Sequence, residues 1–378
     1  MLSIPIHNKP NTSPEHQQLQ PSSLAIPRRE VFDIRAQLMA EDDTEHNENA
    51  ELISGLESGD LKPAVYEGGF KTWECAIDLA KLLVVEEVPG ILSESSEEEM
   101  EGEGEGKTEP VTVIELGAGT GIPSLAILHS LLSRPQQQQQ DTNQQSKGGK
   151  RRRRRVHFVF ADYNSAVLRL VTVPNILLTW HQCRCRRRKI ESGSDNAEDK
   201  QGELKGDKRE ENDDGDEREG DLEIESGLLD EFRRDLERAE ISVSFVSGAW
   251  SPKFVELALS QPRTQQQQQQ QQEGKERQPG SESSVPGKLL ILASETIYSP
   301  SSLRAFAETL VSLQRQGTSL PVSRAKAYIA AKKVYFGVGG GVDEFLAVLK
   351  DVPGGDALVV KEKVDIEDEG VGRIILEV

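Results

Sequence analysis

Apolar residues are in short supply: 35% of the 378 residues are hydrophobic and 5% aromatic, against 29% charged. A chain so composed cannot bury all of itself, and one domain with unstructured insertions fits better than two compact domains. Long hydrophobic runs are missing as well. The longest, such as Leu289–Ala293, are strand-sized, far below the roughly 20 residues that span a bilayer, so no membrane partner is expected. Only three cysteines occur, Cys75, Cys183 and Cys185. An odd thiol count, with no signal-peptide pattern in Met1-Leu-Ser-Ile-Pro-Ile-His-Asn8, points to a reducing compartment. Cytoplasm and nucleus are the expected locations, and Arg151–Arg155 reads either as an import signal or as a basic flank of the next strand. Positive charge is in deficit, leaving a formal net charge of −19. That argues against nucleic acid as the main partner and would attract a basic protein substrate, although much of the charge sits in tracts that read as solvated. His181-Gln-Cys183-Arg-Cys185 is the one metal-like cluster and matches no zinc spacing, so no metal is expected. Neither a histidine triad context nor a Gly-x-Ser-x-Gly elbow is present.

What the chain does have is a recurring strand pattern. Residues 1–60 are rich in Pro, Gln, Ser and Asn, show one helix candidate near Arg28–Ala40, and read as a mobile tail. Strand signals then recur at Val111–Glu115, Val156–Ala161, Ile241–Val246, Leu289–Ala293, Ala325–Ala331, Ala357–Lys361 and Arg373–Val378. Helical segments between them, such as Ser124–Leu132, Ser165–Leu170 and Ser301–Leu313, predict an α/β fold with a mostly parallel, right-handed sheet. The last two strands are expected to form an antiparallel hairpin at its edge. Four biased tracts interrupt the pattern, near residues 93–109, 135–155, 184–223 and 261–286. Each immediately precedes a strand, so all four should hang from the amino edge, away from ligands at the carboxyl ends.

The most informative segment is Val111-Thr-Val-Ile-Glu115-Leu-Gly117-Ala-Gly119-Thr-Gly121-Ile-Pro123. A β-branched strand runs into a carboxylate and a glycine turn, and Pro123 suits the first turn of a helix. The GxGxG spacing differs from the GxGxxG of dinucleotide sites. A carboxylate at Glu115 would repel a pyrophosphate and suit a sulfonium, which favours S-adenosyl-L-methionine over NAD. Asp162 ends the second strand, where a carboxylate can accept from both ribose hydroxyls; it can instead cap the next helix, as can Asn164. Trp250 follows the third strand, where it could stack on adenine or pin the following helix from the core. After the fourth strand come Ser294, Glu295 and Tyr298, a polar cluster on the same edge, although Glu295 could also be a partner for a nearby cation and Tyr298 could simply be packing. After the fifth, Tyr335-Phe-Gly337-Val-Gly339-Gly340-Gly341 suits a mobile or closely approached loop over the site.

Taken together, Tyr66-Glu-Gly-Gly-Phe-Lys-Thr-Trp73-Glu74-Cys75, Glu115–Gly121, Asp162-Tyr-Asn164, Ser247-Gly-Ala-Trp250, Ser294-Glu-Thr-Ile-Tyr298 and Tyr335–Gly341 resemble the protein-histidine methyltransferase family. The resemblance covers about Leu61–Val378. It implies a Rossmann-like seven-stranded methyltransferase domain over residues 61–378; a monomer is the expected state. It also implies S-adenosyl-L-methionine as donor and a histidine ring nitrogen of a large-subunit ribosomal protein as acceptor. On this reading Trp73, Glu115, Gly117, Gly119, Gly121, Asp162, Asn164, Trp250 and Ser294 hold the cofactor, although Trp73, with Glu74, could instead merely anchor the helix before the first strand. Glu295 orients the histidine by accepting its Nδ1–H, Tyr298 or Tyr335 walls the pocket, and residues 335–341 form the substrate loop. One departure is that Ala249 stands where relatives carry an acid before the tryptophan. A lysine methyltransferase of the same fold and a catalytically silent cofactor-binding scaffold are the alternatives.

Overall fold

The hydrophobic runs fold largely where their patterning places them, in a computed structural model that describes residues 1–6, 22–41, 68–92, 109–134, 154–191, 222–260, 287–318, 325–367 and 370–378. In chain order the first elements are β1 (Leu2–Ile6), β2 (Ser22–Ile26), α1 (Val31–Glu41), α2 (Glu74–Glu86) and α3 (Val88–Leu92). The central elements are β3 (Val111–Leu116), α4 (Ile122–Leu132), β4 (Val156–Asp162) and α5 (Ser165–Val167). A π-helical turn at Leu168–Thr172 leads from α5 into α6 (Val173–Glu191), followed by α7 (Leu228–Arg238), β5 (Ile241–Ser247) and α8 (Pro252–Leu259). The chain ends with β6 (Lys288–Ser294), α9 (Pro300–Thr318), β7 (Ala325–Lys332), α10 (Val342–Asp351), β8 (Lys361–Ile366) and β9 (Arg373–Glu377).

Seven strands form one sheet in the order β5-β4-β3-β6-β7-β9-β8. The first five are parallel, and β9 runs antiparallel to both β7 and β8. Both faces are covered, which is why β4 is buried at all seven positions and reads as a continuous apolar run. On one face Leu79, Leu83, Leu125 and Trp180 pack against the sheet; on the other, Phe254, Phe306, Leu310 and Phe345 do. Successive strands step outward from β3 through β4 to β5, then return to β6 on its other side. That reversal opens a crevice at the carboxyl ends of β3 and β6, where α/β sheets hold their ligands.

Three expectations need correction. Part of the anticipated N-terminal tail is structured: β1 and β2 pair antiparallel, with Leu2 opposite Ile26 and Ile4 opposite Leu24. Ile4 and Ile26 are fully buried in the core beside α2 and α4. These strands are short and carry Pro5, so their alternation is lost in a Pro- and Gln-rich stretch. Second, the tract expected from residue 184 begins as helix, because α6 runs to Glu191 with Arg184 and Arg187 paired to Glu231 and Asp235 of α7. Helix α7 also stands between that tract and β5, which the tract therefore does not immediately precede. Third, the sixth strand of the sheet lies at Lys361–Ile366 rather than Ala357–Lys361. Its charged residues look like a turn, yet an edge strand facing water favours charge. Tyr66 and the bulk of the biased tracts lie outside the described residues.

Candidate active site

The carboxyl ends of β3, β4, β5 and β6 surround a cavity of about 390 Å³, a volume typical of small-molecule sites. Its floor is the glycine turn after β3. Gly117, Gly119 and Gly121 all take positive φ, at 66°, 51° and 74°. A Cβ on Gly119 would stand 3.2 Å from the Gly69 carbonyl oxygen, so the turn and the segment before α2 close on each other to shape the wall. Two buried side chains hold the turn from behind: Thr172 Oγ1 donates to the Gly119 carbonyl at 2.7 Å, and Asn175 Nδ2 donates to the Thr120 carbonyl at 3.0 Å. Neither was legible as a site residue, because both lie inside an apolar helical stretch.

Asp162 lines the cavity and joins two of its loops, one oxygen accepting from Gly119 N–H at 3.0 Å and the other from Asn164 N–H at 3.0 Å. The helix cap is Asn164, whose Oδ1 accepts from Ala166 N–H at 2.8 Å while the residue also lines the cavity. Tyr163 between them is 49% exposed on the same wall and was not singled out from sequence. Trp250 lines the cavity too, and its indole packs edge-on against Phe254 of α8 and Phe306 of α9. The core contacts expected of a helix-pinning tryptophan are therefore present, on a residue that also lines the cavity.

Glu115 departs from expectation. It is fully buried and absent from the cavity wall; its Oε2 accepts from Ser124 N–H at 2.9 Å, pinning the start of α4. Burial pushes its carboxyl up to about 7, against the lowering effect of the Ser124 hydrogen bonds. It is thus no fixed anion on the rim, and the register of β3 explains why: with Glu115 opposite Phe160 and Leu292, its side chain turns under the turn.

The far end of the cavity is built by Trp73, Ser294, Glu295, Thr296 and Tyr298. Trp73 immediately precedes α2, donates from Nε1 to the Gly68 carbonyl at 3.0 Å, and carries the Lys332 ammonium over its ring at 5.2 Å. Glu295 holds a left-handed backbone, φ 54°, uncommon for a residue with a Cβ. The bend keeps its N–H on the Ala330 carbonyl while turning the carboxylate into the site. Oε1 is buried with no hydrogen-bond partner, and Lys332 Nζ stands 3.9 Å away. Lys332 also reaches Glu74 at 3.4 Å. The Cys75 thiol and the Tyr335 hydroxyl face the same carboxylate, and burial, reinforced by its charge, pushes both pKa values up.

Tyr335 and the glycine loop sit behind Tyr298 rather than on the cavity wall. The two rings meet edge-on at 6.2 Å. Gly340 is pressed so closely beneath this segment that a Cβ there would stand 2.2 Å from the Tyr298 carbonyl oxygen. Gly337 and Gly339 take positive φ in the exposed tip, and Gly341 bridges back to Val334. Among the described residues no group of His, Cys, Asp and Glu could hold a metal, and no helix is long and apolar enough to cross a membrane.

A ligand with a nucleoside end fits these residues. The glycine cradle and Asp162 suit a ribose, and the Glu295 carboxylate with Lys332 beside it makes the far end polar.

No protein-family model matches the chain. Among solved structures, the rRNA methyltransferase aviRa from Streptomyces viridochromogenes aligns over 85% of this chain and 93% of its own, at 13% identity and a TM-score of 0.30, a likeness too loose to carry an argument. The curated relatives are nearer. Histidine protein methyltransferase 1 of Saccharomyces cerevisiae is 33% identical over 352 residues, covering 92% of this chain and 75% of that protein. Its namesake in Schizosaccharomyces pombe is 30% identical over 84% of this chain and 67% of that protein. A homologue in Dictyostelium discoideum is 24% identical over 83% of this chain and 58% of that protein. With a seven-stranded sheet that holds its cavity at the glycine turn, and relatives matched along most of its length, this chain is a methyltransferase belonging to the histidine protein methyltransferase family.

Proposed function

We infer that this enzyme transfers a methyl group from S-adenosyl-L-methionine to Nε2 of a histidine in a basic protein, a component of the large ribosomal subunit. The observation that carries the reading is Glu295: a carboxylate on the cavity wall, carried on a left-handed backbone with the Lys332 ammonium 3.9 Å away. The relatives' names supply histidine in a protein as the acceptor class. A protein substrate also accounts for the exposed apolar tip beside the site, where Val334, Phe336 and Val338 are 50%, 79% and 40% exposed.

When bound, the donor supplies an electrophilic methyl on a sulfonium, which leaves as a neutral thioether. The chain's own part is placement. A histidine with an ordinary pKa of about 6.5 is mostly neutral at pH 7 and offers its lone pair without a strong base. Glu295 accepts Nδ1–H, which fixes the tautomer exposing Nε2 and stabilises the imidazolium that forms. Trp73 and Tyr298 wall the reacting end and limit water. Holding the nitrogen about 3 to 3.5 Å from the methyl carbon, in line with the departing sulfur, supplies several kcal/mol.

The test incubates the purified chain with methyl-labelled donor and large-subunit ribosomal proteins, followed by acid hydrolysis. Label in Nε2-methylhistidine is expected, with a rate that flattens above about pH 7. Label in methyllysine, with a rate climbing steeply towards a pKa of about 10.4, would overturn the histidine reading, and no transfer at all would leave a silent scaffold. Glu295→Gln is expected to lower turnover by at least about ten-fold while adenosylhomocysteine still binds. Full turnover in that variant would remove the role given to Glu295.

A further inference from the structure

The glycine turn is held at second hand by the N-terminal segment. A π-helical turn at Leu168–Thr172 lies between α5 and α6. Such a bulge shifts the helical hydrogen-bond ladder and leaves a carbonyl in need of an outside donor. Arg29 reaches into this turn, its Nη1 donating to the Leu170 carbonyl at 2.9 Å. The backbone N–H of the same residue donates to Asn175 Oδ1 at 2.7 Å. Asn175 is fully buried, and its other end, Nδ2, holds the Thr120 carbonyl. From the bulge itself Thr172 Oγ1 holds the Gly119 carbonyl. Arg29 thus touches Asn175 through its backbone N–H and, through its side chain, the π-turn that carries Thr172.

Packing follows the same route. Ile34 and Leu38 of α1 are fully buried against Phe70, Val167, Leu170 and Val171. Val167 lines the cavity and stands so close to Gly69, another lining residue, that a Cβ on Gly69 would meet it at 2.9 Å. Arg169 pairs with Glu41 at the end of α1 at 3.1 Å, closing the clamp.

We propose that residues 22–41 are a working part of the cofactor site, with Arg29 as a positioning residue that sets the glycine turn through the π-turn and Asn175. Arg29 does not line the cavity; it acts by keeping two turn carbonyls aimed backwards, which holds the floor of the cavity and the Gly119 N–H that positions Asp162. The ligand class rests on the adenosylmethionine reading, whereas the brace itself is a property of the chain.

The test compares the full-length chain with Arg29→Ala and Arg29→Lys, using adenosylhomocysteine calorimetry and amide hydrogen exchange without ligand. Arg29→Ala is expected to weaken binding about five- to ten-fold, the loss of one charge-assisted hydrogen bond. Amides of residues 116–124 should exchange faster while those of β6 and β7 do not. Arg29→Lys, whose ammonium can still meet the carbonyl, should recover most of both. Wild-type affinity and wild-type exchange at the turn in Arg29→Ala would overturn the brace, as would an exchange increase spread evenly over the sheet, which marks simple destabilisation. If the unaltered chain does not bind adenosylhomocysteine, the cofactor reading falls, and exchange at the turn alone decides for or against the brace.

Discussion

Two carboxylates at neighbouring strand ends look alike in sequence and do different work. Asp162 remains on the cavity wall, its oxygens satisfied by two backbone N–H groups, while Glu115 is sealed beneath the turn with one oxygen unpartnered. Burial raises the Glu115 carboxyl from 4.5 to about 7. The folded chain therefore holds this proton more tightly than the unfolded chain does. The resulting stabilisation is complete below pH 4.5 and is lost as pH rises through 7. His129 has the opposite slope: burial, helped by the nearby Arg186 charge, lowers it from 6.5 to about 4. Its contribution is present above pH 6.5 and lost as pH falls through 4. Between these limits the two slopes oppose one another. Glu115→Gln, which keeps an acceptor for Ser124 N–H, is expected to gain on the order of 1–3 kcal/mol at pH 8. It should also fall off more steeply than the wild type on acidification from pH 7 to 5. Urea unfolding across that range measures both, and parallel stability profiles for the two chains would contradict the assignment.

At the scale of elements, the site depends on loops pressed together more than on any one strand. The loop after β6 and the loop after β7 meet backbone to backbone at Gly340, where a Cβ would collide with the Tyr298 carbonyl oxygen and, at 2.6 Å, with that of Ile297. Neither neighbour is a flexible side-chain end, so Gly340→Ala must part the loops. It is expected to cost about 1–3 kcal/mol in urea unfolding and to depress turnover through a displaced Tyr298. Wild-type stability and turnover together would show that the contact is not needed. The presence of this approach was legible in the triple glycine, but its partner was not, since glycine announces a missing side chain and not what fills the space. The same limit applies elsewhere. Regular elements were legible because a parallel sheet buried on both faces writes long apolar runs. The β1–β2 hairpin was not, because two five-residue strands write only two buried positions each. The left-handed Glu295 and the buried supports Thr172 and Asn175 follow from tertiary packing, for which a single sequence has no period.

The whole molecule keeps its cavity and the points where three of the biased tracts rejoin the described fold at opposite edges of one sheet. At the amino edge the strand starts are tied in a row: Val111 N–H to the Arg155 carbonyl, Val156 N–H to that of Glu240, and Lys288 N–H to that of Pro110. Three of the biased tracts enter the described fold here, at Pro110, Arg154 and Gly287, and the fourth enters at α7. The cavity lies at the other ends of the same strands. Since α8 returns the chain from the carboxyl edge to the amino edge, Ser260 and Gly287 lie on the side where a short link of about 2–6 residues ordinarily joins helix to strand. Replacing residues 262–285 with a six-residue Gly-Ser linker is therefore expected to leave adenosylhomocysteine affinity within about two-fold, because loop length enters folding only through a slowly varying closure entropy. Calorimetry on the shortened chain, with circular dichroism to confirm folding, checks this. A folded but non-binding product would mean that the tract reaches round the sheet to the cavity, and the division of labour between the two edges would have to be abandoned.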